Sequence, residues 1–171
     1  MRKMLRRSMF LVALLVSLCM PVVAQNANTA LNLDQVSGTN VLSASGQVYY
    51  IQNVATGLYL KAGGEWGTNA VEGRAAHPFY LEKRTDGSYA ISSVAGYLHS
   101  TDMWADWKLR NDSRWTITKV SELASGVNQF YLVNANGRAL SSQGHITGQL
   151  MMDKHHAASY DKQWIFITED H

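Results

Sequence analysis

The sequence has almost no cysteine. Its single cysteine, Cys19, lies inside an apolar run near the N-terminus. A chain that loses this run has no disulfide and no thiol nucleophile. Hydrophobic packing must therefore stabilise the fold, which suits an exported bacterial protein better than a small disulfide-rich eukaryotic one.

The N-terminal segment has the features of an export signal. MRKMLRR carries four positive charges, the apolar run SMFLVALLVSLCM follows, and Val22-Val23-Ala24 supplies the small residues that a signal peptidase reads. The run is short for a membrane span. We expect a signal peptide over residues 1–24, cleavage after Ala24, export to the periplasm, cell surface or medium, and no membrane span in the mature chain. Lipidation of Cys19 is the less favoured alternative, because Leu18 stands where a lipoprotein signal has a small residue.

The mature chain also lacks an excess of positive charge. Removing the signal leaves 11 Lys and Arg against 13 Asp and Glu, a net charge near −2. Proteins that bind nucleic acid neutralise phosphates with clustered Lys and Arg. We therefore expect no nucleic acid partner.

Catalytic motifs are scarce as well. No G-x-S-x-G elbow occurs in the sequence. Asp102, Asp106 and Asp112 share one region, but nothing in the sequence pairs two of them as glycoside hydrolysis requires, and we interpret them as solvated turn residues. His155 and His156 are adjacent, so in a strand their side chains would point to opposite faces and would not chelate together. We expect no enzymatic activity, no metal and no cofactor.

What the sequence does contain is an internal repeat. Residues 25–46 are rich in Asn, Ser, Gly and Ala and form a predicted linker. Three units of short β-type runs follow, over residues 49–84, 88–120 and 129–170. Each unit has a glycine turn, then a leucine, then a closing aromatic residue; these are Gly57, Gly96 and Gly137, then Leu60, Leu98 and Leu140, then Phe79, Trp115 and Trp164.

Three all-β units of this size favour a closed threefold arrangement. Propellers usually have more blades, about four to eight, and a solenoid needs capping repeats. A closed barrel removes exposed strand edges. We predict an all-β fold, a β-trefoil of three pseudo-repeats of about 40 residues each over residues 47–171, with the repeated leucines and aromatic residues packed near one axis.

The first unit carries a family resemblance. Its stretch T-G-L-Y-L-K-A-G-G-E-W-G-T-N-A-V, residues 56–71, resembles the ricin-type (R-type) lectin β-trefoil, in which a G-x-x-L strand precedes a Gly-rich loop and later Q-x-W. It is also similar to a β-trefoil-like domain of exported Bacteroidetes proteins. The resemblance covers residues 46–170 and implies a carbohydrate-binding fold. The chain departs from it where ricin-type sites place Asp, since Lys61, His99 and Ser141 stand there, and the Gln of Q-x-W is replaced in each unit.

Two of the three loops that follow the repeated leucines present a tryptophan. Trp66 and Trp104 each stand six residues past the leucine of their unit, whereas the third loop has His145. A tryptophan that stacks on a sugar ring, beside carboxylates and amides, is typical of a shallow carbohydrate site. The alternative is that these tryptophans, like Trp107, cover the barrel. The predicted ligand-binding residues are Trp66, Glu65 and Asn69 in the first loop and Trp104, Asp102 and Asp106 in the second.

Two functions remain open at this point. One is a secreted, non-catalytic carbohydrate-binding module or lectin-like domain, whose partner is a glycan or polysaccharide. The other is a protein-interaction β-trefoil, such as a protease inhibitor or adhesin component that binds a surface protein, and the long inter-strand stretch 141–161 favours it. We expect a monomer with zero to two working sugar sites, of which the first is the best.

Overall fold

The computed structural model describes residues 47–63, 68–122, 127–144, 146, 148–154 and 159–168. The predicted signal peptide and linker lie outside these residues. Within them the chain forms a 3-10 turn, Tyr160–Lys162, and twelve strands. The strands are β1 Tyr49–Asn53, β2 Tyr59–Ala62, β3 Ala70–Gly73, β4 Tyr80–Lys83, β5 Tyr89–Ser93, β6 Gly96–Ser100, β7 Ala105–Lys108, β8 Trp115–Glu122, β9 Asn128–Asn134, β10 Arg138–Ser141, β11 Met151–Lys154 and β12 Gln163–Thr168.

The first and last strands of each unit form a barrel. Antiparallel pairing joins β1 to β12, β12 to β9, β9 to β8, β8 to β5 and β5 to β4. A bridge between Tyr49 and Phe79 then connects β1 to the residue before β4 and closes the ring. Closure pairs the strand edges that an open sheet would expose.

The two middle strands of each unit form a hairpin: β2 with β3, β6 with β7, and β10 with β11. The three hairpins contact one another in a cycle through single bridges, Asn69 with Asp106, Val71 with Gln149, and Trp104 with Met151. A barrel of six strands covered by three hairpins is the β-trefoil fold. The predicted fold class and threefold repeat are therefore confirmed.

The six repeated core positions are fully buried, as predicted, and belong to one hydrophobic cluster. The Trp115 indole donates its Nε1–H to the Leu98 carbonyl at 2.8 Å, and that of Trp164 donates to the Leu140 carbonyl at 3.0 Å. Phe79 has no such donor and stacks on Trp107 instead, with ring centroids 5.5 Å apart. The interpretation of Trp107 as a residue that covers the barrel is confirmed, because it is 2% exposed.

The first turn of each unit is built in the same way. The side-chain oxygens of Asn53, Ser93 and Asn134 each accept a hydrogen bond from the main-chain N–H two residues further on, at 3.0, 3.1 and 3.0 Å. Such local bonds stabilise a tight turn. In the second unit Gly96 follows with φ of +113°, and a Cβ there would lie 2.5 Å from the Lys108 carbonyl oxygen.

The stretch 141–161 is not an uninterrupted inter-strand loop, so its length does not favour a protein-interaction function. Strand β11 divides it and pairs residue by residue with β10. Met152 is 2% exposed and fills the core. Among the described residues there is no helix with the length and hydrophobicity needed to cross a bilayer.

Candidate functional site

Four of the six predicted ligand residues lie in the described part of the chain: Asn69, Asp102, Trp104 and Asp106. Glu65 and Trp66 fall outside the described residues. Asn69 is half-buried, and its main chain bridges to that of Asp106. The structure therefore brings these two predicted residues together, at the contact between the first and second hairpins.

Trp104 lies where the second hairpin meets the third. Its main chain bridges to Met151. The Thr101 hydroxyl oxygen accepts the Trp104 N–H at 3.0 Å, which holds the loop in a tight turn. The side chain of Trp104 is 38% exposed and the neighbouring Met103 is 55% exposed. Trp104 is thus placed on the surface, where a ligand can reach it.

Asp102 joins the second unit to the third. The Asn136 Nδ2 group donates to Asp102 Oδ1 at 3.0 Å. Asn136 lies in the turn between β9 and β10, and at the start of that turn Asn134 Nδ2 donates to the Ser100 hydroxyl at 3.0 Å. Two amide side chains therefore fix this turn against the end of β6.

His99 lies between two carboxylates. Its Nε2 is 3.0 Å from Asp112 Oδ1, and its Nδ1 is 4.0 Å from Asp106 Oδ1. Lys108 Nζ is 3.6 Å from the other oxygen of Asp106, and Arg110 is 3.0 Å from the other oxygen of Asp112. The interpretation of Asp106 as a solvated turn residue is wrong, because it lies in β7 opposite His99. Asp102 and Asp112 are exposed and lie outside the strands, as that interpretation predicts.

The pKa of the Asp112 carboxyl lies below its ordinary value. Partial desolvation raises this pKa, but the hydrogen bond with His99 and the charge of Arg110 outweigh the desolvation. Asp112 is therefore a carboxylate at neutral pH and can accept hydrogen bonds from a ligand.

A cavity of about 180 Å³ opens beside this group. It lies between β6, the loop from β7 to β8, and the first turn of the third unit; its polar lining is His99, Ser100, Asp112, Ser113, Arg114, Asn134 and Asn136. Typical pockets for drug-sized ligands have volumes of about 300–1,000 Å³, so this one suits a single small ring. The Ser113 Oγ is buried and has no hydrogen-bond partner within the described part of the chain.

The third unit repeats this pair of residues with a buried serine in place of the histidine. Ser141 occupies the position of His99, and its hydroxyl donates to Asp161, the equivalent of Asp112, at 2.9 Å. Asn53 Nδ2 donates to the Asp161 main-chain carbonyl at 2.8 Å. Ser141 is 4% exposed, whereas the side chains of His99 and Asp112 are 19% and 49% exposed. Asp161 is half-buried. The histidine of the second unit is therefore more accessible than the serine of the third.

The first unit has a cation and no carboxylate at these positions, which are Lys61 and Ala76. His77 follows, and burial together with the positive charge of Lys61 lowers the pKa of its imidazole. The first unit therefore has a positive charge and no carboxylate where the second unit has His99 and Asp112.

None of the residues that line this cavity is among the sequence-predicted ligand-binding residues. One sequence signal could have identified Asp112, because it and Asp161 both stand three residues before the closing tryptophan of their units. Asn136 has no comparable signal, since it reaches the cavity from another unit. In the described ranges no group of three His, Cys, Asp or Glu residues is placed to hold a metal ion.

Neither a protein-family model nor a curated protein sequence matches the chain. Similar solved structures include the Macrolepiota procera ricin B-like lectin in complex with lactose, with a TM-score of 0.59 and 16% identity over 77% of this chain and 100% of the lectin. SeviL bound to the asialo-GM1 saccharide has a TM-score of 0.58 and 19% identity, over 73% of this chain and 98% of SeviL. A proteinase inhibitor from Coprinopsis cinerea has a TM-score of 0.58 and 14% identity, over 74% of this chain and 100% of the inhibitor. At these identities the similarity establishes the β-trefoil fold, which ricin B-like lectins and the inhibitor share.

Proposed function

We propose that this protein is an exported, non-catalytic carbohydrate-binding module with a lectin-like β-trefoil, and that a sugar ring binds in the cavity beside His99. The chemistry of that cavity carries the proposal. A carboxylate, a guanidinium and two amide groups surround a space of about 180 Å³. Sugar hydroxyls both donate and accept hydrogen bonds, so Asp112 can accept from them while Arg114 donates to them.

The arrangement of carboxylates favours binding over hydrolysis. Glycoside hydrolysis needs two carboxyl groups with the scissile bond between them. Here the imidazole of His99 lies between Asp106 and Asp112 and turns one nitrogen toward each of them. The space that a glycosidic bond would need is filled by a side chain of the protein.

The loop that carries Trp104 is connected to this cavity. Asn136, a cavity residue, donates its hydrogen bond to Asp102, which lies two residues before Trp104 in the same loop. We expect Trp104 to contact a part of the glycan that extends beyond the cavity. Trp66 and Glu65 in the first loop are a separate predicted site.

Glycan-array screening of the mature protein identifies the sugar, and calorimetric titration of two variants locates its site. Asp112→Asn removes a charged acceptor and is expected to weaken binding about tenfold, because hydrogen bonds to charged groups are among the stronger ones. Asp161→Asn, the same substitution at the equivalent position of the third unit and outside the cavity, is the control and is expected to leave affinity unchanged.

Wild-type affinity in Asp112→Asn would exclude the cavity as the sugar site. Absence of binding to any glycan on the array would contradict the proposed function and would leave the protein-interaction alternative. Melting temperatures of both variants show whether a loss of binding reflects a loss of folded protein.

A further inference from the structure

A second, larger cavity adjoins the first. Its volume is about 450 Å³, and its lining consists of residues 82–86 and Arg114. This volume lies within the usual range for small-molecule sites, about 300–1,000 Å³. Arg114 lines both cavities. A saccharide with one ring in the first cavity can therefore continue past Arg114 into the second.

Cationic residues outnumber carboxylates in the second cavity. Lys83, Arg84 and Arg114 line it together with Glu82 and Asp86. This local excess of positive charge occurs on a mature chain whose net charge is near −2. The second cavity therefore favours an anionic ligand group over a neutral one.

The two arginines are held in place, and each retains capacity to donate. Arg114 Nε is 3.1 Å from Asp86 Oδ2, and both side chains are about half exposed, at 49% and 46%. An exposed ion pair of this kind is weak, so an anionic ligand can compete for the guanidinium. Arg84 donates through Nη2 to the main-chain and side-chain oxygens of Asn111. Its Nε is buried without a hydrogen-bond partner among the described residues, so a ligand is reached through the Nη groups.

We propose that the protein binds an acidic saccharide that spans both cavities. One sugar ring occupies the first cavity, and an anionic group on the adjoining residue, a uronate carboxylate or a sulfate ester, lies between Arg84 and Arg114. The planar guanidinium matches either oxyanion through paired hydrogen bonds. The inference rests on the proposed function, because it requires a sugar in the first cavity.

Titration calorimetry with three probes tests the inference: trigalacturonic acid, neutral galactotriose, and a sulfated chondroitin tetrasaccharide. We expect at least one acidic probe to bind about tenfold more tightly than galactotriose at low salt, with a preference that falls as salt screens the charges. The affinities for the two acidic probes distinguish carboxylate from sulfate recognition. Polyglutamate is the control for general attraction of polyanions.

Equal affinity for acidic and neutral probes would overturn the inference, and so would the absence of binding to all three saccharides. Binding of polyglutamate as tightly as the acidic saccharides would overturn it too, because the cavity would then accept any polyanion. The proposed function is decided separately by the glycan array, so a neutral ligand found there would leave it intact.

Charge-removing variants locate the anionic group. Arg84→Gln, outside the first cavity, is expected to weaken binding of the preferred acidic probe about fivefold and to weaken galactotriose binding less. Arg74→Gln removes the same charge from an exposed position outside both cavities and is expected to have no effect. Asp86→Asn releases Arg114 from its ion pair and is expected to raise affinity for the acidic probe, a gain that misfolding cannot produce. An unchanged acidic affinity in Arg84→Gln, an equal loss in Arg74→Gln, or a loss in Asp86→Asn would each contradict the assignment.

Discussion

Trp164 allows the most direct test of the threefold core. Its side chain is fully buried, and its indole donates to the Leu140 carbonyl at 3.0 Å. Trp164→Ala is expected to cost roughly 3–5 kcal/mol, the range for removing a large buried aromatic side chain. The Leu140 carbonyl also loses its donor, which adds about 1 kcal/mol or more. Because domains have a total stability of about 5–15 kcal/mol, the variant is expected to unfold or nearly so.

Trp164→Phe separates the ring from its hydrogen bond. Phe79 occupies the equivalent position of the first unit, so a phenyl ring is compatible with this place in the barrel. The variant keeps most of the apolar packing but leaves the Leu140 carbonyl without its donor. We expect a cost of about 1–3 kcal/mol, between wild type and Trp164→Ala.

Urea denaturation, monitored by near-ultraviolet circular dichroism, measures the loss of unfolding free energy in both variants. The remaining tryptophans still report the folded state. Trp104→Phe is the control; as a surface substitution it is expected to change stability by no more than about 0.5 kcal/mol. A loss of less than about 1 kcal/mol in Trp164→Ala would refute the assignment of Trp164 to a packed core. Equal losses of unfolding free energy in Trp164→Ala and Trp164→Phe would show that the volume of the ring does not contribute separately from the hydrogen bond.

Three further predictions use simple measurements. Trp66→Ala is expected to weaken glycan binding by more than about 1 kcal/mol at an unchanged melting temperature, and Trp104→Ala to do so more mildly; unfolding of Trp66→Ala would show instead that the residue belongs to the core. The pKa of His77 is lowered by burial and by Lys61, so the unfolded chain takes up its proton at higher pH and the folded state loses stability as pH falls below about 6.5. His77→Gln should reduce the fall in melting temperature between pH 7 and pH 5. An unaltered fall would show that other groups cause the pH dependence. Intact mass of protein from its native host should show Gln25 as the first residue, and an acyl group on Cys19 would contradict the expected cleavage.

The core could be predicted from sequence because the barrel imposes one requirement three times. Each unit must supply a leucine and a large aromatic residue to the same interior, so Leu60, Leu98 and Leu140 recur at regular places. Burial at these positions follows from spacing and hydrophobicity alone. The substitution of Phe79 for tryptophan is tolerated because Trp107 stacks on it.

The cavity was harder to predict because its walls come from two units. Asn134 and Asn136 reach Ser100 and Asp102 across a unit boundary. That contact depends on the register of β8 against β9, which no spacing within one unit determines. Polar residues in turns are also the commonest feature of any β protein, so composition alone does not separate Asn136 from other turn residues.

The three units differ most where the fold places no packing demand. Two positions vary between the units: the one directly after the repeated leucine and the one three residues before the closing aromatic residue. They are Lys61 and Ala76 in the first unit, His99 and Asp112 in the second, and Ser141 and Asp161 in the third. A change in the buried leucines or aromatic residues would empty the barrel, so those residues cannot vary freely. These two positions can vary, and in the described residues the second unit combines them into an accessible hydrogen-bonded pair beside a cavity. Ligand choice in this β-trefoil should therefore follow the residues at positions 99 and 112, and the third unit is less suited to a ligand because Ser141 is buried and donates its hydroxyl to Asp161.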